Sequence, residues 1–373
     1  MDVRLYSSLM EYEKALGGNR ANDNMTIYLT NLLDKGPNYY INGFFSEFKL
    51  LVINEKLIPV VINEGRDKSS YLSALSVHYV KHGIDSVKEK IKNQLLYQAL
   101  KLFGAGLNTL LNFFEIDKAI YLNCWLIPTG GSVHLSQQEI DKILDFFRID
   151  YKSYAVVLKG VNNYLHLDSV QLPTANCLTN RIVYTAAVNE EFLKKTNIQK
   201  AIKASKKTAY VLTQEDELLD SDLSAIRQLY RQLYFGKHSK FSLSYNLNWF
   251  KMIRDLDFFK LQAFRGLNNE VVAFTVTFFG GDSIVSSLGA CKVDTADYFH
   301  LYTLNFAIRV LDARAENKNL NYSSGGDEFK KNRGGLAISE YDMVYFDHLK
   351  LIKRSVWKAF ISLCNRIIKY LNK

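Results

Sequence analysis

The sequence predicts an α/β protein of the α+β kind, with two lobes at 1–180 and 181–373, each a mixed sheet flanked by helices. Three observations carry this. The 373 residues exceed one typical domain of about 100–200 residues. Strand-like apolar runs and helical periods both occur in the first half, enough for a domain by itself. In the second half an N-terminal helix is followed by three strands, a helix, a short strand, a glycine-rich turn, a short helix and a strand.

Taken in order, residues 1–40 are polar and mixed, with a loop expected at 17–24. The runs 44–53 and 57–62 read as a hairpin turning at Asn54-Glu55-Lys56. Helical periodicity covers 69–113, with a break expected near Gly83. A strand at 119–122 and a loop at Pro128-Thr129-Gly130-Gly131 follow. Ser136 and Glu139 have capping-box spacing and open an amphipathic helix over 137–148. Residues 154–158 are a short apolar strand.

The second half opens on a strand at 181–188 and a lysine-rich stretch, 194–207, that reads as a solvated face. An amphipathic helix spans 222–234. The runs 260–264 and 271–279 form a hairpin turning at Leu267-Asn268-Asn269, and 283–290 is a third strand. A helix at 299–315, a short strand at 320–323, a turn at Gly325-Gly326, a strand at 342–346 and a terminal helix at 349–372 complete the chain.

Composition narrows the function. The net charge of +9 calls for an acidic partner, whether nucleic acid, anionic membrane, phosphorylated cofactor or acidic carrier protein. Four prolines exclude long proline-rich linkers. Cys124, Cys177, Cys291 and Cys364 lie far apart without CxxC spacing, which argues for buried thiols over a disulfide framework or zinc knuckle. The seven histidines, His166 among them, show neither HExxH nor a carboxylate at ligand spacing, so no metal is expected. The first residues do not read as a signal peptide, and no run approaches about 18 apolar residues. The expectation is a cytoplasmic protein or one peripheral to a membrane.

The densest cluster of chemistry is 321–335, NYSSGGDEFKKNRGG, with Glu340-Tyr341-Asp342 close behind. Ser324, Gly325 and Gly326 allow a sharp turn and close approach of a ligand. A helix opening at Asp327 would aim N–H groups at an anion or a developing oxyanion. Glu328 is a candidate base, and Lys330 and Arg333 are candidate phosphate or carboxylate binders. The plain alternative is a solvated, well-capped helix start. His238, in FGKHS after the 222–234 helix, is a second candidate base, with a surface histidine as its alternative. In the terminal helix, Leu349, Ile352, Val356, Trp357, Phe360, Cys364, Ile367 and Ile368 face opposite a basic side that runs to Lys373, with no acid from Leu349 onward. Its stripe can pack on the core, lie on a membrane or meet an acidic protein.

The run 321–335 with Glu340-Tyr341 resembles the GxxFKxxRGA…EY signature of FemAB-like proteins in the GCN5-related N-acetyltransferase (GNAT) superfamily. Gly335 stands where that pattern has Ala. The segments 229–239, 55–63 and 123–128 are similar to further pieces of the same group, so the likeness covers most of the chain and is strongest over 220–350. The resemblance implies tandem GNAT-like lobes, the second catalytic and the first partly degenerate. It implies transfer of an acyl group from a thioester to an amine, with no permanently bound cofactor. The [QR]xxGx[GA] pyrophosphate signature is not visible near 290–300, which leaves an acyl carrier protein beside acyl-CoA as donor. Related enzymes of peptide natural-product pathways acylate Lys or ornithine side chains, so a fatty-acyl, peptide-lipidating role follows from the likeness.

In this reading the thioester lies in a splay between strands 283–290 and 320–323, where backbone groups at Leu288 and Gly289 polarise its carbonyl. Glu328 or His238, with Glu340 behind them, takes the amine proton. Tyr341 or Tyr322 protonates the thiolate. Lys330 and Arg333 hold a phosphopantetheine phosphate or an acidic carrier. Two alternatives stand: a FemX-like transferase using aminoacyl-tRNA on a cell-wall precursor, and a non-catalytic membrane-associated binding protein.

Overall fold

The computed structural model describes residues 2–16, 23–88, 91, 93–131, 133–162 and 176–371. Most of the 17–24 loop, His166 and Lys373 lie outside the described residues. Twelve strands form one sheet: β1 Val3–Tyr6, β2 Glu47–Ile53, β3 Lys56–Glu64, β4 Lys118–Leu122, β5 Ala155–Asn162, β6 Cys177–Ala186, β7 Val211–Thr213, β8 Phe259–Arg265, β9 Val271–Gly280, β10 Ser283–Cys291, β11 Asn319–Asn321 and β12 Leu336–Tyr345. Their order is β1-β2-β3-β4-β5-β12-β6-β11-β10-β9-β8-β7.

The order hides a repeat. From one edge, β1 to β4 pair antiparallel in turn and β4 pairs β5 parallel. From the other edge, β7 to β10 pair antiparallel in turn and β10 pairs β11 parallel. The architecture is therefore tandem. β12 and β6 join the repeats at the centre: β12 lies antiparallel between β5 and β6, and β6 antiparallel to β11. The last strand of the chain thus pairs with the first half. Residues 180 and 181, where the sequence reading divides the lobes, both lie within β6.

The hairpins form because apolar residues bury on both faces of a sheet sandwiched by helices. One continuous apolar core runs through both halves, joining Tyr28, Trp125, Trp249, Phe258 and Trp357. A second lies under the helix Gln137–Asp150 in the first half, and a third under Tyr298–Ala315 in the second. The Ser136–Glu139 capping box forms as expected, and all four cysteines are buried and free.

Several expectations need correction. Gly83 is not a break: at φ −59° it carries the π-helix Val77–His82 straight into the helix Gly83–Val87. That helix ends at Val87 with Lys88 as its C-cap, and Asn93 caps the helix Gln94–Phe113 by accepting from the N–H groups of Leu95 and Leu96. The polar start contains β1 and a helix, Asn24–Lys35, that buries Tyr28, Leu29, Leu32 and Leu33. The amphipathic helix 222–234 ends as a helix at Arg231 and continues as a π-helix, Gln232–His238. The terminal helix begins at Leu351, and its stripe is divided: Trp357, Phe360 and Cys364 are buried, while Ile352 is exposed.

Candidate active site

A cavity of about 930 Å³ lies against the centre of the sheet. This is near the upper end of the roughly 300–1,000 Å³ range of ligand pockets. Its wall has a polar part and an apolar part. The polar part comes from β5, β6, β12, the loop after β4 and the glycine-rich turn. The apolar part comes mainly from Gln94–Phe113 and the terminal helix, and the two π-helices add histidines and tyrosines between them.

The polar floor is a network of charges. Arg181 on β6 donates from Nε to Glu340 on β12 at 2.8 Å, and from Nη1 to the Pro128 carbonyl at 2.8 Å. Burial works against the Arg181 charge, but Glu340, Tyr71 and Asp342 outweigh it and raise its pKa. Beneath it Asp342 is fully buried. It accepts from Asn180 Nδ2 at 3.1 Å, from the Gly160 N–H at 3.3 Å and from Tyr79 at 3.4 Å, and pairs with Lys159 at 3.5 Å. Asn123 donates to the Lys159 carbonyl at 3.1 Å and accepts from the Trp125 indole at 2.7 Å. Buried charges held this way are fully paired, which makes the floor stiff.

The π-helix Val77–His82 brings in two imidazoles. Burial, with Lys159 and His82 adding to it, holds His78 well below its usual range. Burial takes His82 down to about 4 against the pull of Asp85, with His238 lowering it further. Both rings are therefore neutral at pH 7.

The glycine-rich turn has left-handed backbone at Ser323, Gly325 and Gly326 (φ +62°, +76° and +61°). Lys330 Nζ donates to the carbonyls of Tyr322 (2.7 Å), Ser323 (3.1 Å) and Ser324 (2.7 Å), clamping the turn from below. Ser323 also hydrogen-bonds Thr129, which ties the turn to the loop of the first half. Beside it, β10 and β11 pair only as far as Val285 and Asn321, while β10 runs on to Cys291. The pairing stops because β11 ends at Asn321. The β9 register shifts between Ser286 and Leu288, and Ser287, at the shift, lines the cavity with its hydroxyl buried and unpartnered among the described residues.

The structure gathers some of the expected site residues and not others. Glu340, His238, Ser324 and Gly325 line the cavity. His238 ends the second π-helix, its ring 5.7 Å from Tyr234. Glu328, Tyr341, Gly326, Lys330, Arg333, Leu288 and Gly289 are not among the lining residues. Glu328 is exposed on a five-residue helix, Asp327–Lys331. Tyr341 packs on the opposite face of the sheet. Arg333 stacks on the Phe329 ring, 3.4 Å from its centre. Leu288 gives its carbonyl to Arg309 at 3.2 Å, and Gly289 sits against that same guanidinium with no room for a Cβ.

Residues the sequence reading passed over complete the site: Arg181, Lys159, Asn180, Asn123, His78 and Tyr234. The Tyr234 hydroxyl is pushed up to about 12 by burial, partly offset by a hydrogen bond from the Gly289 backbone. Among the described residues no group of three or more His, Cys, Asp or Glu side chains could hold a metal ion.

No protein-family model and no curated protein matches this sequence. In structure the chain is similar to FemX, at a TM-score of 0.51 and 10% identity, covering 97% of this chain and 100% of that one. It is also similar to a conserved protein of unknown function from Bacteroides thetaiotaomicron (TM-score 0.48, 12% identity, 94% and 100% covered). A third similar structure is L-PGS from Bacillus licheniformis (TM-score 0.43, 12% identity, 60% and 76% covered). The whole-length likeness to FemX is one of fold, and it agrees with the FemAB-like, tandem GNAT-like architecture expected from the sequence.

Proposed function

We propose that this chain is an N-acyltransferase that moves an acyl group, fatty acyl in our reading, from a thioester to an amine such as a Lys or ornithine side chain of a peptide. The donor is acyl-CoA or a phosphopantetheine-linked acyl group on an acyl carrier protein, which the charge of +9 would attract. The division into a partly degenerate lobe at 1–180 and a catalytic lobe at 181–373 belongs to the same proposal. One observation carries it: a large cavity at the centre of the sheet holds a buried carboxylate, Glu340, and a histidine, His238.

The chemistry needs no covalent enzyme intermediate. The amine nitrogen attacks the thioester carbonyl, the C–N bond forms, and the C–S bond breaks. Ser287, the β10 residue at the cavity wall, would face the developing oxyanion. Glu340 or His238 takes the amine proton, with exposed Glu328 as the remaining candidate. Tyr234, protonated at neutral pH and at the cavity wall, is the candidate proton donor to the thiolate on position alone, since burial makes it a weaker acid. Lys330 shapes the turn rather than meeting phosphate directly, since three carbonyls already engage it.

A FemX-like, tRNA-dependent reaction is the second reading, favoured by the same basic charge. The two separate in one assay. The protein is incubated with acyl-CoAs, acyl carrier protein thioesters or charged tRNAs and Lys- or ornithine-containing acceptors, and acceptor mass and thiol release are followed. Acyl transfer with thiol release is expected. Transfer from tRNA alone, with a steep salt dependence, would replace our reading with the second. Glu340→Gln should lower turnover at least about 100-fold. Unchanged turnover would remove Glu340 from the chemistry.

A further inference from the structure

The helix Gln94–Phe113 has an unusual outer face. Leu95, Leu102 and Phe113 recur at i, i+7 and i+18, which puts them on one line along the helix. They are 82%, 75% and 79% exposed, and Leu110 beside them is more than half exposed. Lys101 is the sole charged residue among these twenty. The inner face is ordinary: Tyr97, Gly104 and Leu111 are buried, and Leu96, Leu100, Phe103 and Leu107 line the cavity. Gln94, Gln98, Lys101, Asn108, Thr109 and Asn112 share one polar stripe, and the apolar face beside it is only partly covered by the protein. Apolar side chains left this exposed in one line mark an interaction surface.

What flanks it identifies the partner. The terminal helix Leu351–Leu371 carries Lys353, Arg354, Lys358, Arg366 and Lys369 and no acid. It shares the cavity wall with Gln94–Phe113 through Arg366 and Ile367, and Lys353 pairs at 3.5 Å with Glu115, two residues past the end of that helix. Leu351, Ile352 and Ile367 on the terminal helix are exposed as well. The surface is therefore an apolar line bordered by a helix of five cations and no acid, of which Lys353 is paired with Glu115. A second copy of the chain fits it badly, because a two-fold contact would set the same cations against each other. An anionic bilayer satisfies both parts, apolar side chains in the acyl boundary and cations at the headgroups. Among the described residues no helix is long and apolar enough to cross a membrane, so the contact is with its surface.

We propose that Gln94–Phe113 is an interfacial docking helix that seats this protein on an anionic lipid surface, with the terminal helix supplying the charge. The contact is independent of the reaction catalysed. Because one side of the helix faces the cavity and the other the lipid, docking would place the site directly under the headgroups.

The test is co-sedimentation of the full chain with vesicles of phosphatidylcholine alone and of a roughly 3:1 mixture with phosphatidylglycerol. Binding to the mixed vesicles is expected, weaker to the neutral ones and weakened by salt. Leu95→Glu, Leu102→Glu and Phe113→Glu together should cut it at least about tenfold. Circular dichroism and melting should stay unchanged, since all three side chains already face solvent. Absence of vesicle binding by the wild type, or equal binding by the triple variant, would overturn the proposal. So would a wild-type dimer in light scattering that the triple variant dissolves, because a second copy would then cover this face.

Discussion

Arg181 and Glu340 are direct register partners across β6 and β12, and their side chains meet at 2.8 Å on the floor of the cavity. The pair sits where the two halves of the sheet join. One residue comes just before the middle of the chain and the other from near its end. The same contact therefore closes the sheet and furnishes the site with its carboxylate.

Removing one partner strands the other. Arg181→Ala leaves Glu340 buried beside Asp342 with its guanidinium gone, and should destabilise the fold by about 3–5 kcal/mol. Glu340→Gln keeps a hydrogen-bond acceptor for Arg181 and should cost less. Urea midpoints of the two variants check the order. Equal and small losses would mean the pair is solvated.

Lys330 is a clamp with three donors for three carbonyls. Lys330→Met leaves those carbonyls without it, at about 1 kcal/mol each, and should cost about 3 kcal/mol. Burial, with Arg309 adding to it, takes the folded-state value down to about 7. The unfolded value is near 10.4. Between about 7 and 10.4 the unfolded chain then binds more protons than the folded one, so this group adds stability as pH rises through that window. Denaturation of wild type and Lys330→Met at several pH values should show that slope in the first and its loss in the second.

Glu139 gives the opposite limb. Burial opposes its charge, but Lys56, the Ser136 N–H and Asn54 outweigh it and bring the carboxyl down to about 2. Its folded value lies below the unfolded one, so its stabilisation is complete above about 4.3 and lost as pH falls toward 2. In full the shift is worth about 3 kcal/mol, reduced to about 2 by solvent at partly exposed Lys56. Glu139→Gln should cost that amount at neutral pH and flatten the stability profile below about 4.3, as read by urea midpoints.

What the sequence disclosed was local. The hairpin at β2 and β3, the Ser136 capping box and the Gly325-Gly326 turn each follow from residues within a few positions of one another. The cavity floor does not. Lys159 and Asp342 meet across 183 positions, and Arg181 and Glu340 across 159, with nothing in either neighbourhood to announce the other. The π-helices escaped for another reason. Their i→i+5 bonds break the 3.6-residue period, so His238 looked like a turn residue when it ends a helical segment at the cavity. Glu328 stood out because it sits among glycines and lysines, yet burial and convergence, which sequence does not give, favour Glu340.

The glycine turn allows a test by subtraction. Gly325 and Gly326 are both left-handed, but an added Cβ would meet nothing within 4 Å at Gly325 and would lie 2.9 Å from the Tyr302 hydroxyl at Gly326. Gly325→Ala should therefore cost only the backbone strain, about 1–2 kcal/mol. Gly326→Ala should cost that and about 1 kcal/mol more for crowding. Adding Tyr302→Phe should return the second part and leave the first. If both alanine variants lose the same stability and Tyr302→Phe restores nothing, Tyr302 gives way freely and does not fix the turn. If the difference holds, thiol release should follow it, with Gly326→Ala the slower enzyme, because the turn forms part of the cavity wall at Ser324 and Gly325.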